Sequence, residues 1–117
     1  MKLKKYFCLF LAAAGFLLGS CEESVPSAPS GLVADAVTGA TFVLRWTDNS
    51  YNERNFLVQK SLDDQFADCE VRSVTSNIRS VRDTDLDPDT TFFYRVAAAN
   101  KAGVSEWSET LSARINE

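Results

Sequence analysis

The clearest pattern in the sequence is Phe92-Phe93-Tyr94-Arg95-Val96-Ala97-Ala98. Every second residue in it, from Phe92 to Ala98, is apolar or aromatic, and Arg95 lies between two of them. This period of two is typical of a β-strand that buries one face, because successive side chains of a strand point to opposite sides. Residues 92–98 therefore predict a β-strand, the clearest one in the chain.

Six further segments of the chain show the same alternation of apolar and polar residues, some more weakly. They are residues 32–36, 42–47, 56–59, 71–74, 78–81 and 111–115. Turn-forming residues separate them, as in Asp48-Asn49-Ser50 and Asp87-Pro88-Asp89, and no stretch of ten residues has helical spacing. Seven short strands in about 90 residues predict an all-β fold, a seven-stranded antiparallel immunoglobulin-like sandwich.

The first 20 residues predict a cleaved signal peptide. A basic start, Met1-Lys2-Leu3-Lys4-Lys5, precedes the uncharged, mainly apolar run of 13 residues from Tyr6 to Leu18, and small residues follow. The uncharged stretch ends before Glu22 and would span about 24 Å as a helix, less than the ~30 Å hydrocarbon core of a bilayer. An export signal is thus favoured over a transmembrane anchor.

The end of this segment, Leu18-Gly19-Ser20-Cys21, resembles the lipobox of bacterial lipoproteins. The resemblance implies a diacylglyceryl group on Cys21, cleavage between Ser20 and Cys21, and further acylation with chains such as palmitate. The alternative is a conventional signal peptide that precedes a cysteine. The chain is then divided into a leader (1–20), the lipidated Cys21 with a short tether (21–28) and one domain (29–117).

Localisation follows from the same residues. A lipid on Cys21 places the domain on a membrane of the bacterial cell envelope, with the outer membrane favoured, facing the periplasm or the outside. Glu22-Glu23 resembles surface-export signals of lipoproteins in the Bacteroides group, and a solvated acidic linker is the alternative. With Cys8 removed and Cys21 lipidated, Cys69 is the one cysteine left, so no intramolecular disulfide is expected in the processed chain.

Residues 28–115 resemble a fibronectin type III domain. The resemblance rests on Pro29-Ser30-Gly31-Leu32, on Leu44 to Ser50 with Trp46, on Asn52 to Val58, on Asp83 to Ala98 and on Asn100 to Ser108. It implies a buried Trp46 and a hydrophobic core formed without a disulfide. The family's corner tyrosine falls on Phe92, so its hydroxyl hydrogen bond is missing here.

Composition excludes several kinds of site. The chain has no histidine, the commonest acid–base group near neutral pH and the commonest metal ligand. Three of its 12 basic residues lie in the leader, so the remaining 97 residues carry 9 basic against 16 acidic residues, a net charge of −7. Such an acidic chain is a poor partner for nucleic acid. We expect no enzyme activity and no cofactor.

The aspartates at alternate positions 83, 85, 87 and 89 suggest a calcium site, but they lack the glycine and glutamate of an EF-hand loop. Capping of turns around Pro88 explains them better. We therefore expect no metal site.

Three aromatic residues remain as a candidate binding surface: Tyr51, Phe66 and Trp107. The predicted function is that of a non-catalytic envelope lipoprotein whose domain acts in display, spacing or adhesion-like protein interaction. The alternatives are a carbohydrate-binding module and an accessory domain of a larger exported enzyme system. A binding module would require these three residues to share one exposed face, with protein or polysaccharide as the partner.

Overall fold

The computed structural model describes residues 6–7 and 24–116, and within these ranges the secondary structure is β-strand without helix. The nine strands are β1 (Tyr6–Phe7), β2 (Ser30–Thr38), β3 (Thr41–Thr47), β4 (Asn55–Ser61), β5 (Asp68–Thr75), β6 (Ser80–Asp83), β7 (Thr91–Asn100), β8 (Gly103–Val104) and β9 (Leu111–Arg114). All of their pairings are antiparallel.

The strands form two facing sheets. One has the order β2-β3-β6, and the other has the order β1-β5-β4-β7-β8, with β9 also paired to β7. The seven predicted strands correspond to β2 to β7 and β9. The predicted sandwich is confirmed, although Ile78 lies in the turn before β6.

The core lies between the sheets and is filled by the alternating residues of each strand. Phe42, Leu44 and Trp46 of β3 face Phe56 and Val58 of β4 and the even-numbered residues of β7. The rings of Trp46 and Phe56 meet edge to face at 5.5 Å between centroids, an arrangement that adds to simple burial. Trp46 is 5% exposed, as the sequence predicts for this position.

Cys69 differs from the sequence expectation. It is 2% exposed and disulfide-bonded in the full chain, whereas the expectation of no intramolecular disulfide is made for the processed chain, which lacks the leader. The other two cysteines, Cys8 and Cys21, lie outside the described residues. In the full chain, β1 places Tyr6 of the predicted leader opposite Cys69 of β5.

The corner before β7 contains Phe92 where the family resemblance places a tyrosine. The Phe92 side chain is 4% exposed, and the corner is held by backbone bonds from Leu86 N–H to the Ala40 oxygen (3.0 Å) and from Asp89 N–H to the Ile115 oxygen (2.7 Å). Asp85 and Asp89 have positive φ values, 59° and 57°. Aspartate tolerates this conformation in turns, so the geometry agrees with the turn interpretation of these acidic residues.

We expect Phe92→Tyr to raise the thermal midpoint of unfolding by a few degrees. A restored corner hydrogen bond contributes about 1 kcal/mol, which corresponds to about 4 °C or more in a domain of this size. Calorimetry of the variant checks this. Phe93→Tyr, which adds a hydroxyl on the other face of the same strand, is the control, and an unchanged or lower midpoint for Phe92→Tyr would contradict the prediction.

Candidate functional site

The outer face of the larger sheet carries a stack of three side chains. The guanidinium carbon of Arg95 lies 4.2 Å from the centre of the Phe66 ring and 4.5 Å from the centre of the Trp107 ring. Arg95 Nε–H also donates to Gln59 Oε1 at 2.7 Å, and Gln59 lies directly opposite Arg95 on β4. A planar cation between two rings is a favourable arrangement. Burial lowers the pKa of the Arg95 guanidinium from its usual value, which still leaves it charged near neutral pH.

Phe66 reaches this stack from the loop between β4 and β5. Its backbone has a φ of 54°, a conformation that is unusual for a bulky residue and costs free energy. The ring is nevertheless only 2% exposed. Burial of the ring against the sheet therefore offsets the backbone strain and fixes the position of the side chain.

Trp107 is placed by the segment between β8 and β9. Ser105 and Ser108 donate their N–H groups to the carbonyl oxygens of Ala98 and Val96, both at 2.8 Å. The hydroxyls of the same two serines accept the N–H groups of Ala98 (2.9 Å) and Val96 (3.0 Å). These four bonds replace a regular strand ladder and hold Trp107 beside Arg95 on the outer face.

Tyr51 lies at the other end of the sandwich. It is in the loop between β3 and β4, where its side chain is 94% exposed, whereas Phe66 is in the loop at the opposite end of β4. The structure thus brings Phe66 and Trp107 together and leaves Tyr51 apart. The three candidate residues do not share one exposed face.

A second cluster lies between the sheets, at the open edge between β5 and β6. Lys60 Nζ is 3.0 Å from Asp83 Oδ2, with 7% and 10% of the two side chains exposed. The Tyr94 hydroxyl donates to the same carboxylate oxygen at 2.6 Å. Lys60 and Asp83 belong to different sheets, so this buried pair joins the two layers.

The environment of Tyr94 disfavours its ionised form. Burial raises the pKa of the Tyr94 hydroxyl well above its usual value, and both the hydrogen bond to Asp83 and the negative charge of Asp83 raise it further. The cavity beside the cluster has about 20 Å³ of space and is partly lined by Glu70 and Arg72. This is room for about one water molecule, which is too little for a small-molecule ligand.

The N-terminal segment is packed against one end of the domain. The Ser24 carbonyl oxygen accepts bonds from Asn52 Nδ2 at 2.8 Å and from Asn100 Nδ2 at 2.9 Å, and Pro26 is buried. We call this end, formed by residues 24–29, 48–54, 76–79 and 101–102, the N-terminal pole. The opposite pole is formed by residues 39–40, 62–67, 84–90 and 115–116. Residues 24–28 of the predicted tether thus lie on the domain.

Within the described ranges, no group of three or more histidine, cysteine, aspartate or glutamate side chains is close enough to hold a metal ion. Of the four aspartates considered for calcium, Asp83 is turned inward to Lys60, and Asp89 pairs with Arg114 at 3.6 Å. Helices long and apolar enough to cross a membrane were not found among the residues that the structure describes.

Sequence reasoning did not single out Lys60, Arg95 or the two asparagines that bind Ser24. Lys60 could have been recognised from the sequence, because it follows Phe56 and Val58 at the next alternate position of β4, on the side that faces the core. A charged residue at an inward position requires a buried partner. Arg95 carried no such signal, since its ring partners come from distant loops.

Arg95→Ala is expected to lower the free energy of unfolding by about 1–2 kcal/mol, because it removes two ring contacts and the bond to Gln59. Arg95→Lys keeps the charge but lacks the flat guanidinium, so it should recover only part of the loss. Urea unfolding measures both, and the emission of Trp107 should shift to the red in Arg95→Ala. If Arg95→Ala had the same unfolding free energy as the parent chain, the stack would contribute nothing to stability.

Above about pH 10, the free energy of unfolding is expected to fall with rising pH, and part of this fall is due to Tyr94. The pKa of Tyr94 is raised in the folded state, whereas the unfolded chain ionises near its usual value of about 10. The contribution is therefore complete below about pH 10 and is lost as the pH rises, by up to about 1.4 kcal/mol per pH unit. Urea unfolding of the parent chain and of Tyr94→Phe at several alkaline pH values measures it. Tyr51→Phe is the control. If the unfolding free energy of Tyr94→Phe fell with pH as steeply as that of the parent chain, the contribution assigned to Tyr94 would be contradicted.

Comparison with known families and structures gives one consistent result. The model of the fibronectin type III domain matches residues 27–114. Among proteins with curated functions, no sequence matches. The solution structure of the fn3 domain of the human collagen alpha-1(XX) chain is 22% identical, with a TM-score of 0.69 over 84% of this chain and 92% of the collagen domain.

Two multidomain structures are also similar. A segment of titin is 26% identical with a TM-score of 0.65, and the chicken CNTN1 FN1–FN3 domains are 20% identical with the same TM-score. Each match covers 80% of this chain and 33% of the other, so the chain spans about a third of these two structures. The two-sheet order and the match over residues 27–114 lead to the same conclusion: the chain belongs to the fibronectin type III domain family.

Proposed function

We propose that this protein is a non-catalytic lipoprotein of the bacterial cell envelope, attached to the outer membrane through a lipid on Cys21. Its single fibronectin type III domain serves as a spacer or as an adhesion-like protein-interaction module. The observation that carries the anchor is the run Leu18-Gly19-Ser20-Cys21 at the end of a basic and then apolar leader. Acylation with more than one chain is enough for stable attachment.

The non-catalytic part of the proposal is supported by the family and by the buried chemistry. Fibronectin type III domains are common interaction and spacer modules. The ionisable groups inside this sandwich, Lys60, Asp83 and Tyr94, bind one another beside a cavity of about 20 Å³. A reacting substrate has no room to reach them.

Protein interaction or spacing is better supported than carbohydrate binding. An aromatic platform for a sugar requires exposed rings on one face. Phe66 is 2% exposed and holds Arg95, while Tyr51 is exposed at the other pole. The partly exposed side chains of the outer face include Arg95 and Trp107, which suits contact with a polar protein surface.

Metabolic labelling with palmitate tests the anchor. We expect the parent chain to incorporate label and to fractionate with the membrane, because Cys21 carries the acyl chains. Cys21→Ala should lose both properties. Cys8→Ala is the matched control, since it removes a cysteine of the leader and should leave labelling intact.

Label that persists in Cys21→Ala would overturn the lipid anchor. Folding of the variant can be verified separately by thermal unfolding of the soluble fraction, so that a loss of membrane attachment is not confused with a loss of the domain.

A further inference from the structure

The place where the chain enters the domain limits how far the domain can stand from a lipid on Cys21. Ser24 is held at the N-terminal pole by Asn52 and Asn100. Val25 continues along this pole, with its Cγ2 atom 3.4 Å from the point where a Cβ atom of Gly103 would lie. Glu22 and Glu23 alone lie between Cys21 and Ser24 in the sequence, and the three Cα–Cα steps span at most about 10 Å.

We propose that the N-terminal pole rests on the membrane surface and that Tyr51 is the side chain that enters the lipid headgroup region. The occupant of this surface is an anionic lipid bilayer. The proposal rests on the lipid anchor at Cys21 and adds to it an orientation of the domain and a contact residue.

The pole carries exposed apolar side chains that fit this role. Tyr51 is 94% exposed, Val25 45% and Ile78 40%. Tyrosine is favoured at membrane interfaces because its ring is apolar and its hydroxyl remains hydrated. At 94% exposure, the Tyr51 side chain is almost entirely free of packing against the described part of the domain.

The loop that presents Tyr51 is held by hydrogen bonds on both sides. Asp48 Oδ1 accepts from the Ser50 N–H at 2.9 Å, and the Ser50 hydroxyl donates to Glu53 Oε1 at 2.6 Å. Asn49 Nδ2 bonds to the Ala28 oxygen at 2.9 Å, which ties the loop to the entering chain. Tyr51 is therefore presented on a fixed loop next to the segment that leads to Cys21.

The charges of the two poles favour the same orientation. The loops of the N-terminal pole carry Arg54, Arg79 and Lys101 against Asp48 and Glu53, a net charge of +1. Glu22 and Glu23 bring two negative charges to this end, for a net charge of −1. The loops of the opposite pole carry five aspartates and no basic residue, a net charge of −5 (Asp63, Asp64, Asp85, Asp87, Asp89). An anionic surface repels the opposite pole more strongly.

Tryptophan fluorescence in vesicles tests the proposal. Full chains with Tyr51→Trp or Asp87→Trp are expressed with labelled palmitate, purified from membranes and reconstituted into vesicles of phosphatidylethanolamine and phosphatidylglycerol with brominated acyl chains. The emission of Trp46 and Trp107, measured in the parent chain, is subtracted. The Asp87→Trp variant is the matched control, because position 87 is exposed at the opposite pole.

We expect the added emission of Tyr51→Trp to shift to the blue and to be quenched by the brominated chains, and that of Asp87→Trp to remain unquenched. Palmitate label with no quenching in Tyr51→Trp, or with equal quenching in both variants, would overturn the orientation while the lipid anchor stands. Absence of label would overturn the anchor and, with it, the orientation. A protein-binding role for Tyr51 corresponds to the labelled but unquenched result.

Discussion

The antiparallel pairing of β4 with β7 is the constraint on which the other features depend. It extends from Asn55 opposite Ala99 to Ser61 opposite Phe93. Because side chains alternate along a strand, this register sends Lys60 and Tyr94 together into the core and sends Gln59 and Arg95 together to the outer face. A slip of one residue would exchange the two sets. Both polar clusters are thus consequences of one register.

The two clusters differ in what they can do. A buried ion pair is costly to desolvate and often adds little net stability, but a slipped register would leave Lys60 or Asp83 buried without the other. The inner cluster therefore acts against wrong pairings between the sheets. In the outer stack, Arg95 and Trp107 are partly exposed, so a charged guanidinium and an indole lie at a surface that a partner can reach.

Sequence reasoning predicted the strands well because each buries one face, and alternation records that burial directly. The buried Trp46 followed from the resemblance to the fibronectin type III domain, and the turns around Pro88 followed from the aspartate and proline residues, which favour turns. Sequence reasoning could not place Phe66, which lies in a loop with a backbone φ of 54° and packs against Arg95 on the outer face of the sheet, nor join it to Trp107 some forty residues later. Such contacts depend on loop conformation, which residue periodicity does not encode. The disulfide of Cys69 was missed because the leader was treated as absent from the fold.

The two ends of the sandwich differ in charge and in the side chains that they expose. Strand order places the chain's entry, Tyr51 and three basic residues at one pole, and five aspartates at the other. Neither grouping is visible along the chain, because the loops of one pole are separated by whole strands. If the N-terminal pole rests on the membrane, the acidic pole points away from it and the Arg95 stack faces sideways. A partner could then contact either the acidic opposite pole or the side of the domain where Arg95 lies between two rings. The charge of the partner would decide which of these two surfaces it contacts.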